Sequence, residues 1–193
     1  MTSKCLIALG ANLSTPTRTP LDTLRLALRL IDGESIDLRA RSSWYSTSAF
    51  PKGSGPDYTN AVAQIETQLT PIETLEKLAN IETKLGRLRK NRWDARVCDL
   101  DLITHGDRIL PDIATYTYWR DLPLSAQITD TPQQLILPHP RVQDRAFVLI
   151  PLRDIAPDWQ HPVTGQLLEE LIEALPPEAL EDVARLSDTE KTQ

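Results

Sequence analysis

The sequence predicts an α+β fold, an antiparallel sheet with helices packed on it. Three observations lead there. Residues 4–9, 36–47, 58–67 and 97–104 read as strands, short and bounded by turn residues. Residues 20–31 and the stretch from Pro71 to Leu85 carry apolar side chains at three- to four-residue spacing, the mark of an amphipathic helix. Their order, strand–helix–strand–strand–helix–strand, is the ferredoxin-like β-α-β-β-α-β pattern.

Each element has a local cause. The first strand, KCLIAL, ends in Gly10-Ala11-Asn12-Leu13, where Gly and Asn allow a tight turn. One glycine there is no dinucleotide fingerprint, and the chain has no Walker-type phosphate loop. The first helix has Thr19 as cap, Pro20 at its first position and Asp22 in its first turn. Leu21, Leu24, Leu28 and Ile31 form its stripe, and Gly33 can end it. The connection 48–57 holds two Pro and two Gly; such a loop can close over a ligand, though most are connectors. Thr70 and Glu73 make a capping box for the second helix, whose stripe is Leu75, Leu78, Ile81 and Leu85.

Beyond the fourth strand the pattern thins. A short strand is expected at 109–110, then an ordered excursion over 111–134. Residues 135–140 read as a strand entering a Pro-bounded turn that presents His139. Helices are expected at 146–155 and 166–175. The domain plan is one unit over 1–176 and an acidic tail over 177–193 that frays after Pro176-Pro177. His105 and His161 read as surface or turn residues.

Composition bounds the function. The 193 residues are 40% apolar and 25% charged, ordinary for one soluble domain. No run is long and apolar enough to span a membrane, and the N-terminus has no signal-peptide pattern. Cys5 and Cys98 fall in strand cores, where buried free thiols in a cytoplasmic protein are the expectation. The net charge of −6 argues against a nucleic-acid partner, yet Lys84 to Arg96 carries six basic residues against Asp94 alone. A basic loop on an acidic chain points to a small anion held locally.

That loop runs directly into DLDLI. Alternation puts Cys98, Leu100 and Leu102 on one face and Asp99 and Asp101 on the other. Same-face neighbours on a strand lie about 7 Å apart, so the carboxylates repel unless a cation lies between them. Hard oxygen donors favour Mg²⁺, which completes its shell with water and phosphate. Arginine forks onto phosphate oxygens. The bland alternative is a solvated strand face beside a surface loop.

Four stretches together carry a resemblance: ALGANL, YSTSAF…PDYTNAV, IETKLGRLRKNRWDARVCDLDLI and LPHPRVQDRAFVLIPLRDIAPDW. Over roughly residues 4–172 the chain resembles the 6-hydroxymethyl-7,8-dihydropterin pyrophosphokinases of folate biosynthesis. The resemblance implies transfer of the terminal diphosphate of ATP to the pterin hydroxymethyl group, with release of AMP. It implies Asp99 and Asp101 as ligands of two Mg²⁺ ions, and Arg87 and Arg96 as the arginines that clamp the transferring phosphates. Arg89 and Trp93 match a mobile loop over ATP, and Glu82, Leu102, His139 and Arg145 match positions around the nucleotide. Tyr58 and Phe147 match two rings that sandwich the pterin. Asn60 matches the amide that reads its polar edge, and Thr47 a residue that does so through its backbone. ATP and the pterin are the expected partners of a monomer.

The chain departs from the family's pattern in places. Asp94-Ala95 stands where Gly-Pro is common, Pro140 follows His139, and Ser48-Ala49 replaces a Pro pair. Two other readings stay open at this point: a phosphatase with an aspartate nucleophile in DLDLI, and an RNA-binding module on a ferredoxin-like sheet.

Overall fold

In the computed structural model, residues 2–49, 53, 55–87, 96–123, 126 and 130–187 are described. The strand that the sequence makes most apolar, β1 (Ser3–Ala11), is an inner one. Along it run β4 (Tyr58–Thr67) on one side and β5 (Asp99–His105) on the other, both antiparallel. The order is β5-β1-β4, then β3 (Tyr45–Thr47) and β6 (Ala184–Arg185), with β2 (Ile36–Arg41) also on β4. The expected second strand is two, β2 (Ile36–Arg41) and β3 (Tyr45–Thr47). Ser42 breaks it: its Oγ accepts the Val62 N–H at 3.0 Å, a bond the ladder would otherwise take, and Trp44 turns into the core.

Both helices between the strands begin where their caps dictate. Thr19 and Asp22 form a capping box at α1 (Pro20–Ile31), and Thr70 and Glu73 one at α2 (Pro71–Lys84). Leu24, Ala27, Leu28 and Ile31 of α1 and Leu78 and Ile81 of α2 cover one sheet face, that of Cys5, Ile7, Leu9, Leu100 and Leu102. The other face is covered only in part. Leu6, Ala8, Val62 and Ile103 pack beneath α4 (Ala146–Arg153) and α5 (Leu168–Glu173), while the end bearing Asp99 and Asp101 stays partly accessible. The fold class read from the sequence therefore stands.

The excursion contains α3 (Ile113–Asp121), capped by Asp112. No strands form at 109–110 and 135–140; Leu110 and Leu137 make a single bridge that closes the excursion's neck. From Pro177 to Ser187 the acidic segment is ordered rather than frayed, and residues 188–193 lie outside the described residues. Pro177–Glu181 is a helix, α6, and β6 (Ala184–Arg185) pairs with β3. Asp182 accepts from Ser48 at both N (3.0 Å) and Oγ (2.6 Å). Apolar Ala179, Leu180 and Val183 pack on the core while Glu178 and Glu181 face out.

His105 and His161 are not surface residues: both are fully buried. His105 Nε2 meets the Leu69 carbonyl at 3.0 Å. His161 is a hub. Its Nδ1 accepts the N–H groups of Val163 and Thr164 at 3.1 and 3.2 Å, so the ring proton sits on Nε2, which meets Tyr116 Oη at 2.9 Å. Tyr116 is the one buried residue of α3, so this contact docks the excursion. Burial and nearby Arg120 push the His161 pKa down to about 4. In the unfolded chain it titrates near 6.5. The folded state thus binds fewer protons, and its stability is complete above pH 6.5 and lost as the pH falls toward 4. Between pH 7.5 and 5.0 this site should remove about 2 kcal/mol. Urea unfolding at the two pH values measures it; His161→Asn, with equal pH dependence to wild type, would refute the assignment.

Candidate active site

The site starts from the way α2 ends. Gly86 has φ +97°, a conformation that costs glycine little. It lets the Gly86 N–H reach Thr83 O and the Arg87 N–H reach Glu82 O, at 3.1 and 3.0 Å, the crossed pair of a Schellman turn. The chain reverses, and the Arg87 side chain folds back onto Glu82 and Asp99. Glu82 is buried, with only 3% of it exposed. Its Oε1 also accepts the Leu100 N–H at 2.7 Å, an outward donor of the edge strand β5 that would otherwise lack a ladder partner. Burial raises the Glu82 pKa, and the Leu100 N–H and Arg87 oppose that rise.

Alternation does on β5 what the sequence implies: Leu100 and Leu102 are core, Asp99 and Asp101 project from the other face. Three guanidiniums meet the two carboxylates. Arg87 reaches Asp99 at 2.8 Å, Arg96 also bonds Asp99, and Arg145 bonds Asp101 at 2.7 Å. Burial and the neighbouring Asp101 raise the Asp99 pKa. Burial would raise Asp101 too, but Arg145, with His139 and Arg96, wins and holds it below the ordinary range. Unlike environments for paired carboxylates are common at functional sites. Among the described residues no third acid, His or Cys joins them to make a closed metal cage. Two hard carboxylate donors with room left for water and phosphate fit Mg²⁺, and fit zinc or calcium cages poorly.

The register sets the second half of the site beside the first. Gly10 of β1 lies opposite Asn60 of β4 on one side and Asp99 of β5 on the other. Asn60 and Asp99 are therefore two strand spacings apart, about 10 Å. A side chain at Gly10 would crowd that gap, since a Cβ there would lie 3.2 Å from Asn60 Oδ1. Asn60 is buried and its Nδ2 donates to Thr47 Oγ1 at 2.9 Å. Tyr58 stands beside Gly10 and within electrostatic reach of Arg96 and Asp99. Phe147, 37% exposed, opens α4 with the Arg145 guanidinium 5.6 Å from its ring centre.

Of the sequence-derived residues, the structure thus gathers Glu82, Arg87, Arg96, Asp99, Asp101 and Arg145 in one network, with Thr47, Tyr58, Asn60 and Phe147 around it. His139 sits at its edge: its N–H bonds Ile103 O at 2.8 Å and its Nδ1 accepts the Arg141 N–H at 3.1 Å. Burial and Arg145 hold its pKa down to about 3, so the ring is neutral. The Leu102 side chain faces the helical core, away from the carboxylates. Arg89, Trp93 and the Asp94-Ala95 pair lie outside the described residues. Asn12, read from the sequence as a turn residue, is a buried member of the site: Oδ1 accepts the Arg96 N–H at 2.7 Å, and Nδ2 donates to Pro56 O at 3.1 Å. Its signal, an Asn just past a buried strand, is too common to single it out.

Comparison with known proteins agrees with this geometry. Residues 6–157 match the family model for 7,8-dihydro-6-hydroxymethylpterin-pyrophosphokinase. The chain is 37% identical over 167 residues to 2-amino-4-hydroxy-6-hydroxymethyldihydropteridine pyrophosphokinase of a Synechocystis species, covering 86% of this chain and 73% of that one. It is 34% identical over 181 residues to the protein of that name in Pseudomonas aeruginosa, covering 94% and 97%. A solved structure of Plasmodium falciparum HPPK-DHPS superposes with a TM-score of 0.62 at 15% identity, over 90% of this chain and 42% of that one. At that identity the likeness speaks for the fold, and the chain spans under half of that longer protein. The family model and the curated relatives together settle the classification: the chain belongs to the 7,8-dihydro-6-hydroxymethylpterin-pyrophosphokinase family.

Proposed function

We propose that Asp99, Asp101, Arg87, Arg96 and Arg145 carry out the family's reaction, transfer of diphosphate from ATP to the hydroxymethyl oxygen of 6-hydroxymethyl-7,8-dihydropterin. Pyrophosphokinase activity in folate synthesis comes with membership of the family. The residue roles rest on one observation above all: three arginines converge on two carboxylates, two strand spacings from a buried Asn.

The three arginines pair with the two carboxylates. An arriving polyphosphate offers them better-matched, forked partners, which frees Asp99 and Asp101 to hold magnesium. An ATP-using enzyme is generally expected to need Mg²⁺, and Asp99 and Asp101 together would hold two ions. When bound, the metal neutralises phosphate charge. Arg87 and Arg96 then hold the diphosphate in line with the acceptor. Asn60, its amide fixed by Thr47, reads the pterin's polar edge, with Tyr58 and Phe147 at its faces. The hydroxymethyl oxygen forms a bond to the β-phosphorus, the bond from that phosphorus to the bridging oxygen breaks, and AMP leaves with the oxygen. The hydroxyl proton passes to a carboxylate or to water. His139 and Arg145 line the nucleotide side, and so would Arg89, Trp93 and the Leu102 backbone. Glu82 serves beneath them, holding Arg87 and the edge of β5.

We read a single chain as the working unit. Among the described residues no helix is long and apolar enough to cross a membrane. Cys5 and Cys98 are free, and burial pushes their pKa values up to about 11 and 12; inert thiols of this kind suit the cytoplasm. A phosphatase reading fares worse, because the matched family and the curated relatives are pyrophosphokinases.

The deciding experiment incubates the protein with ATP, Mg²⁺ and the pterin and separates AMP, ADP and phosphate. AMP that needs both pterin and Mg²⁺ is the expected product. Phosphate or ADP formed without pterin would overturn the proposal.

A further inference from the structure

Three stretches distant in sequence meet at Asn12. Besides its two side-chain bonds, its main-chain N–H donates to Arg96 O at 3.0 Å, and the Leu13 N–H donates to the same oxygen at 3.2 Å. The peptide groups on both sides of the Arg96 Cα are therefore held from one turn. The remaining arm of the amide holds Pro56, two residues before Tyr58. Only 3% of Asn12 is exposed, so water does not compete for these bonds and their geometry is firm. A turn alone would not need this side chain. One short arm must accept at one end and donate at the other: Asp lacks the donor, Ser lacks the reach, and Gln would push the two partners apart.

We propose that Asn12 is a positioning residue that fixes the transfer arginine, Arg96, relative to the pterin-side segment at Pro56 and Tyr58. This rests on the roles assigned above. Arg96 reaches Asp99 through a long side chain, so an error at its Cα is carried to the guanidinium. Misplacement of a reacting group by about 1 Å can cost on the order of 100-fold in rate. Asn12 acts on backbone atoms at the base of that arm, where the error would begin.

The test is a double-mutant cycle read by pterin-dependent AMP formation. Asn12→Ala should lower kcat about 10- to 100-fold in the wild-type background. In an Arg96→Ala background, where there is no guanidinium to aim, it should change kcat by less than about twofold. A turn that matters only for folding would lower both backgrounds alike, and that result overturns the proposal, as does a wild-type-like kcat for Asn12→Ala. Should Asn12→Ala fail to fold, Asn12→Asp, which keeps the acceptor for Arg96 and loses the donor to Pro56, is put through the same cycle with the same two readings. Wild-type protein that makes no pterin-dependent AMP overturns the site assignment itself, and this proposal with it; turnover with an additive cycle overturns this one alone.

Discussion

Asp101→Asn leaves a folded protein that has lost pterin-dependent AMP formation, with kcat down about 1,000-fold or more. The substitution keeps the shape and removes one charge. It costs little stability, because the Asp101–Arg145 pair is about a third exposed and such pairs are worth about 1 kcal/mol or less. It costs catalysis heavily, because groups that stabilise developing charge in a closed site are each worth roughly 10²–10³-fold, and in the proposed role the lost carboxylate would also be half of the donor set for magnesium. Steady-state kinetics over a range of Mg²⁺, together with a thermal melt, separates the two effects. A variant within tenfold of wild type at saturating Mg²⁺ would sink the metal role. A variant with low activity and a collapsed melt would show that Asp101 holds the fold instead.

Glu82 should behave in the opposite way, as a residue whose loss is felt first in stability. Its side chain is only 4% exposed and that of its partner Arg87 16%. Glu82→Ala removes the acceptor of the Leu100 N–H and one of two carboxylates on Arg87. An unsatisfied buried donor costs about 1–3 kcal/mol, and breaking a buried ion pair about 3–5. Since Asp99 still holds Arg87, a net loss of about 3 kcal/mol is expected, a fall of roughly 6–12 °C in Tm for a chain of this size. Glu82→Gln keeps an acceptor for Leu100 and should lose about a third of that. Equal losses for the two variants would mean that the strand-edge bond contributes nothing.

How far these residues could be read in advance follows from the distance their causes act over. The alternation that separates Leu100 and Leu102 from Asp99 and Asp101 is set by the backbone itself, so it was legible. The same holds for the Thr19 and Thr70 caps, whose partners lie three residues away. The family resemblance added Thr47, Tyr58, Asn60 and Phe147, which no local pattern marks. What stayed hidden depends on partners far along the chain. His161 looked like a turn residue because Tyr116 is 45 residues away. Asn12 is 84 residues from Arg96. Asp182 is 134 residues from Ser48, in a segment where acids interrupt the apolar Leu180 and Val183. The break at Ser42 was hidden for another reason: a serine competing for a ladder bond leaves β-propensity on both sides unchanged.

The docking of β6 also sets an order of assembly. β3 carries Thr47 and presents an unpaired edge until Ala184 and Arg185 arrive to cover it. More than a hundred residues separate the two strands, and ribosomes add about 5–20 residues per second. A newly made chain therefore carries the β3 edge uncovered for roughly 7–27 s, the interval in which stray strands can add to it. A protease that clips the chain before Asp182 would return the finished protein to that unfinished state.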